Sequence, residues 1–242
     1  LMAISKQTRN INEMVLGEKA KDKVIRYVPH GINEDVFYPI SKNNPEYDKV
    51  LECKKNFFGN DVPEFVVLYN ARNIRRKCTS DLIAGYAQFC DKIGKEKAKK
   101  CALLLHTQPI DENGTDLLAV VDLLCDPDYQ RVVFSGGKYT PAEMNIMYNT
   151  SDVVALISSN EGWGLSLTEG MMCGKMIIGL RRGDKAREWV TSDESMQSAR
   201  WMAKNVISTI EDTLTTWKPR KAFELIKITK QPRKKLVHPL VY

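Results

Sequence analysis

No stretch of this sequence reaches the roughly 18 consecutive apolar residues that span a bilayer, and no signal-peptide pattern opens it. A membrane-spanning chain is not expected. Histidine is scarce, with only His30, His106 and His238. The six cysteines (Cys53, Cys78, Cys90, Cys101, Cys125 and Cys173) form no CxxC pair. Structural zinc needs such clusters, so no metal site is expected. Dispersed, reduced and mostly buried thiols fit a cytosolic protein. A GxGxxG fingerprint after the first strands is also missing, which argues against a dinucleotide oxidoreductase. The loops expected to face a cleft carry no paired aspartates of the kind that hold divalent cations. No internal repeat is present. Charge of neither sign dominates: 36 Lys+Arg against 30 Asp+Glu give +6. That favours anionic ligands slightly. The basic residues are scattered and accompany no nucleic-acid motif, so no nucleic-acid partner is expected. The tail segment KQPRKK leaves a peripheral contact with anionic lipid open as an alternative to a solvated tail.

What is present is enough apolar residue, 43% of 242, to bury a full core. From Glu64 onward, apolar runs alternate with amphipathic segments. EFVVLYNAR, CALLLHT, RVVFSG, DVVALISS and KMIIGL read as strands without polar alternation. TSDLIAGYAQFCDKI, GTDLLAVVDLLC, TPAEMNIMYNTS and LSLTEGMMCG read as the helices between them. Ser80 or Thr79 is expected to cap the first of these. Thr140, Pro141 and Glu143 form a helix start of capping-box type. Earlier, LMAIS and KVIRYVP read as short strands, KQTRNINEMVL as a helix capped by Ser5, and Glu46 to Phe58 as a helix. Continuous apolar strands joined through helices predict an α/β fold, a Rossmann-like parallel sheet with helices on both faces. Ligands of such sheets sit outside the carboxyl ends of the strands. The loops to examine are therefore NARNIRRK, HTQP, SGGKYT, SSNEGWG and LRRGDK. After Glu188 the alternation breaks into a mostly helical stretch and a basic tail.

Two of these loops carry chemistry. In SSNEGWGLSLTEG, Gly162 and Gly164 permit a tight turn, and a helix begins near Leu165. The turn presents backbone N–H groups at a helix N-terminus, a ready anion site. Glu161 beside a bound phosphate would repel it, so its natural partner is a sugar hydroxyl. Glu169 can accept from a vicinal diol, as an acidic residue does for ribose in dinucleotide folds. The bland alternative is a turn followed by a solvated glutamate. In NARNIRRKC, Arg72 offers a fork and Lys77 a point charge for a diphosphate, and could offset charge on it as it leaves. Arg75 and Arg76 share that loop, and a merely solvated basic loop is its plain alternative.

An ordered series of segments resembles the C-terminal half of GT-B glycosyltransferases of the retaining group known as family 4. AISKQTRN is similar to the segment that closes that family's N-terminal domain, and VIRYVPHGINEDVFYP to its linker. VVLYNARNIRRKCTSDLIAGY resembles its strand, arginine, lysine and helix. VVFSGGKYTPAEMNIMYNTSDVVALISSNEGWGLSLTEGMMCGKMIIG resembles its signature run. The resemblance covers about residues 1 to 188. It implies that Arg72 and Lys77 bind the donor diphosphate and that Glu161 contacts the transferred sugar. It implies that Gly162, Trp163, Gly164 and Leu165 offer backbone groups, and that Glu169 binds the ribose. Phe134, Gly136 and Tyr139 would border the base, and Gly31 the pyrophosphate.

The implied activity is transfer of a hexose, with retention, from a nucleoside diphosphate sugar to a carbohydrate or other hydroxyl acceptor. GDP or UDP would be the nucleotide, no cofactor or metal would be required, and the setting would be cytoplasmic or membrane-peripheral. A non-catalytic nucleotide-sugar-binding or regulatory module is the alternative. The expected organisation is the end of a missing N-terminal domain and linker over 1–28, a nucleotide-sugar-binding domain over 29–190, and helices with a basic tail over 191–242. The chain would then be a piece of a longer protein. Departures from the family pattern include His30 for asparagine, Ala71 and Cys78 for glycines, Gly170 for alanine and Met176 for proline. Gly170 is expected to weaken its helix slightly.

Overall fold

The computed structural model describes residues 1–179. The loop LRRGDK, the tail segment KQPRKK, His238 and the boundaries expected at 190 and 191 lie outside the described residues. A short first strand, β1 (Met2–Ala3), leads into α1 (Lys6–Leu16) and a 3-10 turn. The strand β2 (Arg26–Tyr27) then returns parallel to β1. Ser5 caps α1 as its sequence position predicts, accepting the Thr8 N–H at 3.0 Å. After a loop come α2 (Tyr47–Phe58), β3 (Phe65–Asn70), a 3-10 turn at Arg75–Lys77, α3 (Thr79–Ile93), α4 (Lys95–Ala98) and β4 (Cys101–His106). The series closes with α5 (Leu117–Leu124), β5 (Val132–Ser135), α6 (Pro141–Thr150), β6 (Val153–Leu156), α7 (Leu165–Met172) and β7 (Met176–Gly179).

The five later strands form one parallel sheet in the order β5-β4-β3-β6-β7. The chain starts in the middle with β3, builds outward through β4 and β5, then crosses back to β6. The two directions of winding separate between β3 and β6. At such a point the helices that follow adjacent strands lie on opposite faces, and ligands of open α/β sheets bind in the crevice there.

Both faces of the sheet are covered, which is why its strands are continuously apolar. On one face Val66, Leu68, Ala102, Leu104 and Val154 pack with Phe58 of α2, Met147 and Tyr148 of α6, and Cys173 after α7. On the other, α3 and α5 pack together, and the Tyr69 hydroxyl meets Thr79 Oγ1 at 2.7 Å. Leu68, Leu103, Leu104 and Leu105 are fully buried, each contributing about 1.5–3 kcal/mol of transfer free energy. Cys173 lies in this core as a small apolar residue, its thiol pushed up to about 12 by burial.

Two local expectations change. Gly170 costs helix propensity, yet a Cβ there would sit 2.7 Å from Val154 Cγ2 and 3.3 Å from Ile177 Cδ1. The missing side chain is what lets α7 lie close on β6 and β7. At the start of α3, neither Ser80 nor Thr79 caps the helix. Cys78 occupies the cap in a left-handed conformation, φ 53° and ψ 39°, without a side-chain capping bond. An L-residue other than glycine is strained there by about 1–2 kcal/mol. Glycine would remove that strain, at a cost of about 0.4–1 kcal/mol in unfolded-chain entropy. Cys78→Gly is therefore expected to stabilise the protein by up to about 1 kcal/mol, raising Tm by roughly 2–4 °C. A lowered Tm in a thermal melt would contradict the strain.

Candidate functional site

The loop after β3 and the loop after β6 meet at the crevice between those strands. Lys77 closes the first loop and Glu161 lies in the second. Their side chains form an ion pair between Nζ and Oε1, 13% and 23% exposed. Arg76 adds a second cation, with Nη1 3.3 Å from Glu161 Oε2 and 2.8 Å from the Asn160 carbonyl. The backbones are stitched as well, since the Ser159 N–H donates to the Arg76 carbonyl at 2.7 Å. Burial disfavours ionised Glu161, but Lys77, the Ser158 hydroxyl and Arg76 outweigh it and hold the carboxyl below its ordinary range. The pair's contribution to stability is thus present at neutral pH and fades only as pH falls through that lowered value.

Glu161 is followed by the turn that starts α7. Gly164 caps the helix with φ 87° and has no side chain to bond the first N–H groups. Leu165 is the first helical residue. These N–H groups and the positive end of the helix dipole begin four residues after Glu161 in sequence. Trp163 is held by a bond from its Nε1 to Thr168 Oγ1 at 3.0 Å, and its ring meets His30 edge-on at 5.9 Å. The linker residues His30 and Gly31 are thereby brought to this loop. Gly162 lies under Ile4, whose Cδ1 would be 2.8 Å from an added Cβ. Downstream, two buried asparagines of α6 hold the linker in place. Asn145 Oδ1 accepts the Tyr38 N–H at 3.1 Å, and Asn149 Oδ1 accepts the Ile40 N–H at 2.9 Å.

Arg72 takes a different direction. Its guanidinium forks onto Asp111 in the loop after β4, with Nε–Oδ2 2.7 Å and Nη2–Oδ1 3.1 Å. Arg72, then the Asn113 N–H, hold the Asp111 carboxyl low. Lys77 and Glu161 are together, whereas Arg72 is paired elsewhere and 60% exposed. Asn73 ties the same two loops together. It is 2% exposed and bonds the Pro109 and Thr115 carbonyls and the Thr115 N–H.

Glu169 is partly buried on α7 and accepts from the Tyr148 hydroxyl at 2.5 Å. Further along the strand ends, His106 of β4 meets Ser135 Oγ at 3.2 Å and stacks obliquely on Tyr139 with centroids 5.0 Å apart. Burial lowers the His106 pKa, so the ring is neutral at pH 7. Phe134, Gly136 and Tyr139 belong to this end of the sheet, two strands away from the Lys77–Glu161 pair. Asp111, Arg76 as a partner of Glu161, and Tyr148 as the partner of Glu169 were not foreseen. Their partners lie 39, 85 and 21 residues away in sequence. Only the strand order, which puts β6 beside β3, brings Arg76 to Glu161.

Comparison with known proteins fits this fold. Residues 129–224 match the family model described as Glycosyl transferases group 1. The D-inositol 3-phosphate glycosyltransferase of Corynebacterium jeikeium (strain K411) is 25% identical over 175 residues, 72% of this chain and 40% of that protein. Sucrose-phosphate synthase from Thermosynechococcus elongatus superposes with a TM-score of 0.52 at 20% identity, over 95% of this chain and 57% of that one. WaaG, a glycosyltransferase involved in lipopolysaccharide biosynthesis, superposes with a TM-score of 0.56 at 14% identity, over 96% of this chain and 63% of that one. The chain spans less than two thirds of each of these relatives, and at these identities the structural likeness is one of fold. Residues 129–224 are thus similar to group 1 glycosyltransferases, and the fold has the Rossmann-like α/β layering of GT-B glycosyltransferases.

Proposed function

We propose that this domain is the donor-binding half of a retaining glycosyltransferase. It would take a hexose from a nucleoside diphosphate sugar and pass it to a hydroxyl acceptor. The observation that carries the reading is the convergence of Lys77, Arg76 and Glu161 beside the uncapped start of α7. A lysine ammonium has three donors. Lys77 can therefore keep Glu161 while giving a bond to a phosphate oxygen. The α7 N–H groups receive the same diphosphate, and Glu161 is left to meet the sugar hydroxyls next to it.

During transfer the anomeric C–O bond to the diphosphate breaks with its electron pair on the phosphate oxygen, a new bond forms to the acceptor oxygen on the same face, and the acceptor's hydroxyl proton passes to the departing diphosphate. Negative charge accumulates on the departing diphosphate. Fixed cations and helix N–H groups aimed at that charge lower the barrier. With protein groups in this role, no metal is required. Arg72 joins by exchanging Asp111 for phosphate. The Glu169 carboxylate takes the ribose diol, and Phe134, Gly136 and Tyr139 border the base.

The acceptor would be held by a second Rossmann-like half. What supports this is the apolar surface of the first 28 residues. No residue of α1 is buried, and Met2, Met14 and Val15 are about four-fifths exposed. A patch of this kind marks an interaction surface. Among the described residues no helix is long and apolar enough to cross a membrane.

A thermal-shift panel of UDP, GDP, ADP and their hexose sugars, with and without magnesium, tests the site. At least one diphosphate is expected to raise Tm equally well in EDTA. No shift with any of them would sink the reading, and a shift that requires magnesium would remove metal independence. Binding without transfer by the complete protein is the outcome expected of a non-catalytic module.

A further inference from the structure

The partner of Glu169 carries more than packing. Tyr148 is fully buried, yet its hydroxyl lies in a chain of three polar groups from three elements. Asn70 Nδ2, at the end of β3, donates to the Tyr148 oxygen at 2.9 Å. The Tyr148 hydroxyl donates onward to Glu169 Oε2 at 2.5 Å. Phe37 from the linker closes one side of the ring, edge-on at 6.0 Å.

The direction of the chain is fixed by chemistry. Burial, and then the negative charge of Glu169, raise the Tyr148 pKa well above the ordinary phenol value. The phenol therefore keeps its single proton, and a carboxylate can only accept it. Asn70 must then present its NH2 group to Tyr148, which leaves Asn70 Oδ1 as an acceptor. One oxygen of Glu169 is spent on Tyr148. Among the described residues no second side-chain partner of Glu169 is found, so its other oxygen is available.

We infer that Tyr148 is a positioning residue, which holds the Glu169 carboxylate in one orientation so that its remaining acceptor sites meet the two hydroxyls of a ribose. This rests on the reading of the crevice as a nucleoside diphosphate site. A charge-assisted hydrogen bond from a buried donor restricts a flexible glutamate strongly. A diol needs both of its hydroxyls met at once, so orientation matters more for it than for a single hydroxyl. The consequence is selectivity for ribose over a sugar that lacks those hydroxyls.

The test is calorimetric binding to the full chain of whichever of UDP, GDP or ADP binds it, beside its 2′,3′-dideoxy analogue. Tyr148→Phe keeps the ring and deletes only the hydroxyl. Its affinity for the ribonucleotide is expected to fall roughly tenfold, while affinity for the dideoxy analogue stays within about twofold. A merely structural role would weaken both alike. Asn70→Ser, which shortens the donor behind Tyr148, is expected to move the ratio the same way by a smaller factor. It decides the matter should Tyr148→Phe fail to fold. An unchanged ribose-to-dideoxy ratio in the folded variant overturns the positioning role and leaves the site reading intact. Wild-type protein that binds none of UDP, GDP and ADP overturns both.

Discussion

Lys77→Ala is expected to lower nucleoside diphosphate affinity by about 30- to 100-fold, whereas Glu161→Gln leaves that affinity unchanged or raises it a few-fold, on the scale of charge-pair truncation. The opposite signs follow from the pair itself. Removing Lys77 deletes the less exposed of the two cations at the crevice and leaves the Glu161 carboxylate, held only by Arg76, next to the incoming phosphates. Removing the Glu161 charge frees Lys77 and Arg76 for phosphate and deletes the repulsion. Truncating one partner of a buried charge pair costs about 2–5 kcal/mol. With both side chains still partly exposed, the lower end applies, and about 1.4 kcal/mol is one decade. Turnover of the complete enzyme by Glu161→Gln is nonetheless expected to fall at least about 100-fold, because groups aimed at transition-state charge act on kcat. Arg72→Ala should weaken binding less than Lys77→Ala, since Arg72 must first leave Asp111. Calorimetry and steady-state kinetics separate these outcomes. Equal losses of affinity in Lys77→Ala and Glu161→Gln would refute the roles assigned to the pair.

The sheet was legible in the sequence because its signal is local. Phe65–Asn70 and Cys101–His106 are continuous apolar runs. The helix Pro141–Thr150 begins at its capping box, with Thr140 Oγ1 accepting the Glu143 N–H and Glu143 accepting the Thr140 N–H. The short strands were overextended. KVIRYVP yields only Arg26–Tyr27, because β2 pairs with a two-residue strand and has no covered faces to lengthen it. The site was legible only as an inventory of charges. Which cation faces which carboxylate depends on the strand order, and Arg72 and Lys77 leave β3 five residues apart towards opposite neighbours. Arg72 turns to the loop after β4 and Lys77 to the loop after β6. The glycine at position 170 illustrates the same limit. Propensity marks it as a weakness, and contact with Val154 makes it a requirement of packing.

Gly114 is expected to be the least tolerant glycine among the described residues, although its backbone conformation is open to any L-residue. A Cβ there would overlap the backbone carbonyl of Asn73 and lie 2.5 Å from its side-chain Oδ1 and 2.7 Å from its Cγ. The carbonyl cannot rotate away, and the side chain is committed to three hydrogen bonds that join the loops after β3 and β4. Overpacking alone costs about 1–3 kcal/mol, and a buried amide stripped of a partner costs about 1–3 kcal/mol more. Gly114→Ala is therefore expected to destabilise the protein by about 3 kcal/mol, lowering Tm by roughly 6–12 °C. Diphosphate affinity falls with it, because the loop that Asn73 anchors carries Arg72, Arg76 and Lys77. Gly85 provides the control. It lies exposed within α3, and nothing stands within 4 Å of an added Cβ. There the same substitution should stabilise by about 1 kcal/mol through helix propensity and leave binding untouched. If Gly114→Ala melts with the wild type, the loops after β3 and β4 are not locked together, and Asn73 cannot be what sets the crevice.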